Sequence, residues 1–404
     1  MKKLNRALAE YTQNLLDSGR AKGKEQIVTK VIRSHKLNGP RYLLEGSEIE
    51  YIKMNSNSYL GLSMHPEVVE AEENATRNFG VGPGAVRFIS GSYKEHIDLE
   101  KTLAKFHTRE AAMIFSSAYV TSLGVISSLT TDETVVISDA LNHNCIINAM
   151  RMSRPAVKMI YAHNNVEDLK KKLKEAVDKG KRCIVITDGI FSMRGDHSPL
   201  DKIKACCEAS EGDFEEGVAL IVDDSHGVGA CGINGRGTEE LTNARADVLI
   251  GTLGKAFGVN GGYVTGSHEL INFLRESAST YIYSNPITVS ESAAAKKSIE
   301  ICDSYEGKER LKHLKDMTTR FRDGLTNLGL ETIPGEHPVV PLMVRDTQRT
   351  ADIVLHLRDN GVLATGLNFP VVPKGEEEIR FQVCADHTVA DIDRVLDVLK
   401  QFSE

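Results

Sequence analysis

The chain has 404 residues, enough for two or three domains and for a core that needs no disulfide or metal to stabilise it. Apolar residues make up 41% of the chain and charged residues 26%, which excludes a wholly disordered or fibrous protein. The net charge is −7, so we do not expect a nucleic-acid binder that relies on overall positive charge.

The N-terminal segment lacks the long apolar stretch of a secretory signal, and no run of about 18 apolar residues predicts a transmembrane helix. The seven cysteines are scattered and form no CxxC pair, so they predict neither a disulfide framework nor a zinc site. We therefore expect a cytoplasmic protein with reduced cysteines that does not insert into a membrane.

The first part of the chain alternates between helix-like and strand-like patterns. Residues 1–50 predict an amphipathic helix followed by a polar, irregular arm. Residues 182–188, 218–224 and 247–252 are nearly continuous apolar runs, as expected of strands buried on both faces, and residues 198–210 predict a helix. This alternation predicts an α/β layer with a mostly parallel sheet.

After about residue 290 the pattern changes to long helices and a few short strands. A helical run covers residues 289–328 with a break near 305–307, and a final helix is predicted at 389–402. Short strands are predicted near 338–344 and 378–383. We therefore predict three parts: an N-terminal helix and arm (1–50), a large domain (51–290) and a small C-terminal α+β domain (291–404).

Polar residues follow the three strong strands, where ligands bind in open α/β sheets. They are Asp188 and Ser192 after the first strand, Asp223, Asp224, Ser225 and His226 after the second, and Thr252, Gly254 and Lys255 after the third.

Lys255 follows a buried strand in a Gly-rich turn, where it either caps a loop or forms a Schiff base through an amine of lowered pKa. Thr252 and neighbouring backbone N–H groups could bind a phosphate at the same turn. Asp223 either caps a turn or pairs with a pyridinium nitrogen, and His226 either stays a loop residue or donates to a phenolic oxygen. Together these groups meet the requirements of pyridoxal phosphate.

Three other sequence patterns lack the neighbouring residues that their usual function requires. A G-x-G-x-x-G spacing at residues 227–232 precedes no apolar helix, so a dinucleotide site is not predicted. The Gly-Lys pair at 254–255 lacks the Ser/Thr and the upstream Gly of a P-loop. Asp223, Asp224 and His226 have no further ligand cluster to support a metal site, so no metal is predicted.

The segments TDGIFSMRGD, VDDSHGVGACGINGRG and GTLGKAFG resemble the α-oxoamine synthases, which are fold-type I pyridoxal-phosphate enzymes. The segments NSNSYLGLSMHPEV, GPGAVRFISGSYKEHIDLEK, SDALNHNCI and FPVVPKGEEEIRFQVCADHT are similar to this family too. The likeness runs from about residue 50 to the C-terminus. It implies a fold-type I transferase with a mostly parallel central sheet and a smaller C-terminal α+β domain.

The resemblance assigns a role to each residue around the cofactor ring. It implies that Lys255 is the Schiff-base lysine and that Asp223 pairs with the pyridine nitrogen. His226 and Ser192 are expected to contact the phenolic oxygen. His143 is expected to stack on the ring and to contact the substrate. Because the chain has no Trp, the ring must stack on another aromatic side chain, and His143 can serve.

The resemblance also implies how the phosphate and the substrate are bound. The expected phosphate ligands are the backbone N–H groups of Ala118 and Tyr119 and the hydroxyl of Thr252. Arg380 is expected to bind the amino-acid carboxylate with its planar guanidinium, and Asn57 to lie near the substrate. Two further residues, Ser284 and Asn285, are expected to reach the phosphate of the partner subunit in a homodimer whose active site is shared.

The implied reaction condenses a small amino acid, most simply glycine, with an acyl-CoA and releases CoA. The sequence departs from the family at the phosphate loop, where it has Ala118, and beside the ring, where it has Asn144 and Cys145. Glycine C-acetyltransferase is the preferred interpretation. The alternatives are 8-amino-7-oxononanoate synthase, which would place the chain in biotin biosynthesis, and an aminotransferase on the same fold.

Overall fold

The structure is a computed structural model that describes residues 1–18, 20–21, 24–35, 37–369 and 371–403. The chain begins with helix α1 (Lys2–Asp17) and continues in three strands, β1 (Val28–Ile32), β2 (Arg41–Leu44) and β3 (Ile52–Lys53). β1 and β2 pair antiparallel. The prediction of an irregular arm within 1–50 is therefore wrong, because β-branched and aromatic residues in these two segments form a β-ribbon.

The central part of the chain alternates strands and helices, as predicted. Its helices are α2 (Pro66–Phe79), α3 (Lys94–Phe106), α4 (Ala118–Leu129), α5 (Asn144–Met152), α6 (Val166–Ala176), α7 (Leu200–Ala209), α8 (Thr238–Thr242), α9 (His268–Ser277), α10 (Ser279–Ile282) and α11 (Val289–Cys302). Its strands are β4 (Ala111–Phe115), β5 (Thr134–Asp139), β6 (Val157–Tyr161), β7 (Arg182–Asp188), β8 (Val218–Asp223), β9 (Val248–Thr252) and β10 (Gly262–Gly266).

These strands form one seven-stranded sheet in the order β4-β10-β9-β8-β7-β5-β6. β10 runs antiparallel to both of its neighbours, and the other pairs are parallel. The residues of β5, β7, β8 and β9 are almost all buried because helices cover both faces of the sheet. The mostly parallel sheet and the three predicted strands are confirmed, with β8 ending one residue earlier and β9 beginning one residue later than predicted.

The C-terminal part is α+β, as predicted. It contains α12 (Tyr305–Asn327), β11 (Val339–Met343), α13 (Thr347–Asp359), β12 (Val362–Leu363), β13 (Thr365–Leu367), β14 (Glu378–Gln382) and α14 (Val389–Leu399). β14 lies between β11 and β13 in an antiparallel sheet, and β12 pairs parallel with β3 from the N-terminal part. Three short 3₁₀ helices complete the secondary structure, at Leu62–Met64, Glu211–Asp213 and Lys400–Phe402.

One continuous hydrophobic core extends from the large sheet into the C-terminal part. It includes Leu99 and Phe257 beside the sheet and Phe321 and Phe381 in the C-terminal part, all buried. This shared core holds β14 against the carboxyl ends of the central strands. Among the residues that the structure describes, no helix combines the length and the apolar character needed to cross a bilayer.

Candidate active site

A cavity of about 410 Å³ lies where β7, β8 and β9 end, in the position expected for a ligand site of an open α/β sheet. Most of the residues predicted for the site line this cavity. They are Asn57, Ala118, Tyr119, His143, Ser192, Asp223, His226, Thr252, Lys255 and Arg380.

Lys255 lies in the turn between β9 and β10 and is only partly exposed, because it faces the cavity. The turn is closed by a hydrogen bond from the N–H of Gly258 to the carbonyl of Lys255, at 3.0 Å. Burial lowers the pKa of Lys255 to about 8, an effect that the charges of Asp223 and Asp188 partly oppose. The amine is therefore far easier to deprotonate near neutral pH than an ordinary lysine, which is what a nucleophilic amine requires.

Asp223 ends β8 with its carboxylate on the cavity wall. The hydroxyl of Ser122 and the thiol of Cys145 donate to Oδ2 at 3.0 Å and 3.5 Å. The backbone N–H of Ser225 donates to Oδ1 at 3.1 Å. These donors come from α4, α5 and the loop after β8, and they fix the orientation of the carboxylate.

Asp224, the next residue, does not line the cavity, although the sequence made it a candidate. Its carboxylate accepts hydrogen bonds from the N–H and the hydroxyl of Thr238, at 2.7 Å and 2.6 Å. Successive residues of a strand point to opposite sides, so only one of the two aspartates can face the cavity. Asp224 anchors the Gly-rich loop instead.

His143 precedes α5 and lies within reach of Asp223. Its Nδ1 accepts a hydrogen bond from the N–H of Cys145 at 3.3 Å, and the sulfur of Cys145 lies 3.0 Å from the same atom. Burial lowers the pKa of His143, an effect that the charge of Asp223 opposes. The imidazole is therefore neutral at pH 7, and it lines the cavity as the aromatic surface that the sequence predicted.

His226 is buried and also lines the cavity. The hydroxyl of Tyr59 lies 2.8 Å from its Nδ1, and His337 holds its backbone carbonyl through a 2.8 Å hydrogen bond. Burial lowers the pKa of His226 well below the usual value, and the charges of Lys255 and Arg380 lower it further. This imidazole is neutral too.

The N-terminus of α4 forms another part of the cavity wall. Ser117 caps the helix by accepting a hydrogen bond from the N–H of Val120 at 3.2 Å, and Ala118 and Tyr119 begin the first turn. The first N–H groups of a helix have no intrahelical acceptor and attract phosphate. Gly262 makes this wall possible, because a Cβ atom there would lie 2.3 Å from the backbone nitrogen of Ala118.

Thr252, the last residue of β9, is the third predicted phosphate ligand. Its hydroxyl accepts a hydrogen bond from the N–H of Gly254 at 3.2 Å and lies 3.3 Å from the carbonyl of Gly261. The side chain of Tyr119 points elsewhere: its hydroxyl is 2.9 Å from Oδ1 of Asn144. Only the backbone of Tyr119 is therefore suited to an anion in the cavity.

Arg380 lies on β14 and is only 9% exposed, so it is not a surface residue. Its Nε donates to the carbonyl of Ser192 at 2.6 Å, and its Nη2 donates to Oδ1 of Asn57 at 3.3 Å. A buried guanidinium in a ligand cavity is a strong site for a carboxylate. Arg380 therefore joins three segments that are far apart in the sequence.

The loop that carries Ser192 is held in place by His163. This imidazole contacts Asp139 through Nδ1 at 3.0 Å and Asp196 through Nε2 at 2.9 Å. Burial alone would lower the pKa of His163, but the hydrogen bonds with the two carboxylates outweigh it and raise the pKa to about 9. A charged histidine thus bridges β5 and the Ser192 loop at neutral pH.

Ser284 and Asn285 do not line the cavity of their own chain. They follow α10, and Asn285 is exposed while the preceding Tyr283 is 79% exposed. Their expected contact with the phosphate of a partner subunit stays a prediction.

Sequence reasoning did not single out Tyr59 or Ser122. Tyr59 lies inside the YLGL motif that carried the family resemblance, so the motif contained a signal. Ser122 lies one turn after Ala118 on the helix whose N-terminus was predicted to bind phosphate, and helical spacing of about four residues could have placed it near Asp223.

The arrangement fits pyridoxal phosphate. A deprotonatable amine, a strand-end carboxylate, an aromatic surface and a helix N-terminus surround one space, as this cofactor needs. In the part of the chain that the structure describes, the buried hydroxyl of Ser225 on the same wall has no hydrogen-bond partner. Buried polar atoms are normally paired, so this hydroxyl is available to a bound polar group.

Comparisons with known proteins match most of the chain. The family model for aminotransferase class I and II matches residues 49–399. An 8-amino-7-oxononanoate synthase of Thermosipho melanesiensis is 37% identical over 91% of this chain and 91% of its own length. The mitochondrial 2-amino-3-ketobutyrate coenzyme A ligase of Bos taurus is 36% identical, with 96% and 90% covered.

A similar solved structure is that of serine palmitoyltransferase from S. paucimobilis with a bound PLP–myriocin aldimine. It has a TM-score of 0.85 and 27% sequence identity, and the match covers 99% of this chain and 97% of that one.

Proposed function

We propose that glycine and a short acyl-CoA thioester are the substrates of this chain, which belongs to the α-oxoamine synthases within the aminotransferase class I and II family. The chain is a pyridoxal-phosphate-dependent acyltransferase. The observation that carries the proposal is one cavity with the Lys255 amine, of pKa about 8, and the buried Arg380 guanidinium on its wall. The amine suits a carbonyl group, and the guanidinium suits a carboxylate.

In this proposal the chain's residues hold pyridoxal phosphate by its charged and polar groups. Asp223 binds the ring nitrogen, and His226 and Ser192 bind the phenolic oxygen. When bound, the cofactor supplies an electron-withdrawing ring that takes up negative charge from the amino acid's Cα. His143 covers one face of the ring and keeps water away from it. Ala118, Tyr119 and Thr252 hold the phosphate.

The remaining residues bind and deprotonate the amino acid. Arg380, held by Asn57 and the Ser192 carbonyl, binds the carboxylate and so fixes the position of the Cα–H bond. Lys255 accepts the Cα proton at Nζ, because a pKa near 8 lets the amine be both a base and, once protonated, an acid near neutral pH. In this proposal His143, whose Nδ1 accepts from the N–H of Cys145, donates from Nε2 to the thioester carbonyl.

The acyl group is the least constrained part of this proposal. The bovine relative is named for a ketobutyrate product, which fits an acetyl donor. Several bacterial relatives are named 8-amino-7-oxononanoate synthase, which favours a longer acyl chain as the second candidate. We prefer the acetyl donor because the GLNFPVVPKG and GTLGKAFG motifs resemble glycine C-acetyltransferase, although the segment GKAFGVNGG resembles 8-amino-7-oxononanoate synthase.

A matrix of amino acids against acyl-CoA chain lengths, followed by free thiol, tests the proposal. Fastest thiol release from glycine and acetyl-CoA supports it, and faster release with a long-chain donor supports the second candidate. Consumption of a 2-oxo acid without release of thiol would contradict both and indicate an aminotransferase.

We further propose a cytoplasmic homodimer with the three parts 1–50, 51–290 and 291–404. Val81, Phe88 and Ile89 are 78%, 68% and 67% exposed, and clustered exposed apolar residues favour association. Ser284 and Asn285 would then complete the partner's phosphate site. Light scattering tests the dimer, and Asn285→Ala tests the sharing: a weaker affinity for pyridoxal phosphate supports it, and an unchanged affinity contradicts it.

A further inference from the structure

Tyr59 lies behind the cavity wall, in contact with two residues that line the cavity, and has no role in the assignments above. The side chain is fully buried, and its hydroxyl is 2.8 Å from Nδ1 of His226 and 3.3 Å from Oδ1 of Asn57. His226 and Asn57 both line the cavity, and Asn57 also accepts a hydrogen bond from Arg380. The hydroxyl of Tyr59 therefore contacts two residues of the cavity wall.

The position of Tyr59 is tightly constrained. Its ring lies edge-on to His337, with 5.3 Å between centroids and 78° between planes. The N–H of Val339 donates to Nδ1 of His337 at 3.1 Å, so the ring proton of His337 is on Nε2, which donates to the carbonyl of His226. The same histidine thus holds the ring of Tyr59 and the backbone of His226.

Proton counting decides which way the Tyr59 hydroxyl points. Burial raises the pKa of Tyr59 well above its usual value, with the charge of Arg380 opposing this, so the hydroxyl keeps its one proton at pH 7. His226 is neutral and carries one ring proton. Either Tyr59 donates to Nδ1 and the imidazole proton is on Nε2, or Tyr59 donates to Asn57 and the proton is on Nδ1.

The first arrangement satisfies more groups. Oδ1 of Asn57 already accepts from Nη2 of Arg380, so it does not depend on the proton of Tyr59. Nδ1 of His226 has no other donor within the described ranges, and an unpaired buried acceptor is costly. We propose that Tyr59 is a positioning residue that donates to Nδ1 of His226 and so keeps the proton on Nε2, available to a phenolic oxygen in the cavity.

This inference rests on the proposed function in one respect: it takes pyridoxal phosphate as the group that His226 meets. Its direct test does not need an acyl-CoA or turnover. In the enzyme with bound pyridoxal phosphate, nitrogen-15 NMR of selectively labelled histidines reports which ring nitrogen of His226 carries the proton. A proton on Nε2 supports the inference, and a proton on Nδ1 overturns it.

A variant provides the second readout. Tyr59→Phe removes the hydroxyl and keeps the ring, so the phenolic oxygen should lose a fixed donor. Its negative charge is then less stabilised, and the pH midpoint of the visible absorbance of the bound cofactor should rise by about one unit, a tenfold change in the protonation equilibrium. The dissociation constant of pyridoxal phosphate should rise by a similar factor.

The matched control is Tyr263→Phe. Tyr263 is also fully buried, and its hydroxyl is 2.8 Å from Nε2 of His107, but neither residue lines the cavity. The control should leave the absorbance midpoint unchanged. Equal shifts in both variants, or none in Tyr59→Phe, would overturn the inference. Failure of the wild-type enzyme to release CoA would instead count against the proposed function alone.

Discussion

Asp188 and Asp223 end neighbouring parallel strands as directly paired residues, and both line the same cavity. Burial raises the pKa of Asp188 well above its usual value, and the charge of Asp223 raises it further. Two carboxylates in a poorly solvated space do not both ionise easily. The N–H of His143 donates to Oδ2 of Asp188 at 2.9 Å. Asp188 therefore holds the backbone of His143, whereas the carboxylate of Asp223 is held by Ser122, Cys145 and Ser225 on the cavity wall.

Replacing Asp223 with Asn should lower kcat by on the order of 100-fold or more, because a neutral amide cannot keep a pyridine nitrogen protonated. Steady-state kinetics measure the effect. Asp224→Asn is the control, since Asp224 binds Thr238 outside the cavity. That variant should lower the melting temperature and leave kcat close to the wild-type value. Similar kcat values for the two variants would contradict the assignment.

Lys255→Ala should abolish turnover and the visible absorbance that appears when pyridoxal phosphate binds to the amine. The buried cavity offers no second lysine among the residues that line it in the described chain. Lys312→Ala removes an exposed lysine that pairs with Asp316 and should change neither readout. Full turnover by Lys255→Ala would reject the assigned role.

Arg380→Lys keeps the charge but loses the planar pair of donors. We expect the KM for the amino acid to rise about 10–100-fold, since hydrogen bonds to charged groups contribute about 1.5–3 kcal/mol each. Arg345→Lys is the comparison, because Arg345 pairs with Glu331 at the surface. An unchanged KM in Arg380→Lys would show that the carboxylate binds elsewhere.

The pH dependence of stability should report on His163. Its pKa is raised to about 9 in the folded protein, so the bridge to Asp139 and Asp196 stabilises fully below the unfolded pKa of about 6.5. The contribution is lost as the pH rises through about 9. The melting temperature of the wild type should exceed that of His163→Gln at pH 6, by an amount that shrinks toward pH 10.

His268→Gln, which replaces an exposed histidine, is the control for this experiment and should behave like the wild type at every pH. A difference between wild type and His163→Gln that stays constant from pH 6 to pH 10 would contradict a charged bridge.

The central sheet and the positions of Asp223 and Lys255 at its edge could be predicted from the local sequence pattern. Strands buried on both faces are continuous apolar runs, so β7, β8 and β9 are visible in the sequence, and Asp223 and Lys255 follow from where two of them end. The rejection of a dinucleotide fingerprint at residues 227–232 is consistent with the structure, because the helix that follows, α8, has only five residues.

Other parts depend on contacts that local pattern does not contain. Asn57 and Arg380 are 323 positions apart and meet only in the folded chain, so that only the family resemblance predicted both in one site. The strands β1 and β2 are short and only β2 contains a buried residue, so their pattern looks like an irregular polar arm. The pairing of Asp224 with Thr238 depends on the fold of the Gly-rich loop, which spacing does not specify.

The contact between Asn57 and Arg380 also affects the stage of protein synthesis at which the chain can bind an amino acid. The ribosome releases the chain from its N-terminus, so the central sheet can form before β14 has emerged. The part of the cavity that is proposed to bind the carboxylate, however, forms only when Arg380 reaches Asn57. A chain that ends before β14 would therefore be inert toward amino acids even if its sheet is folded, so that no incomplete product can consume them.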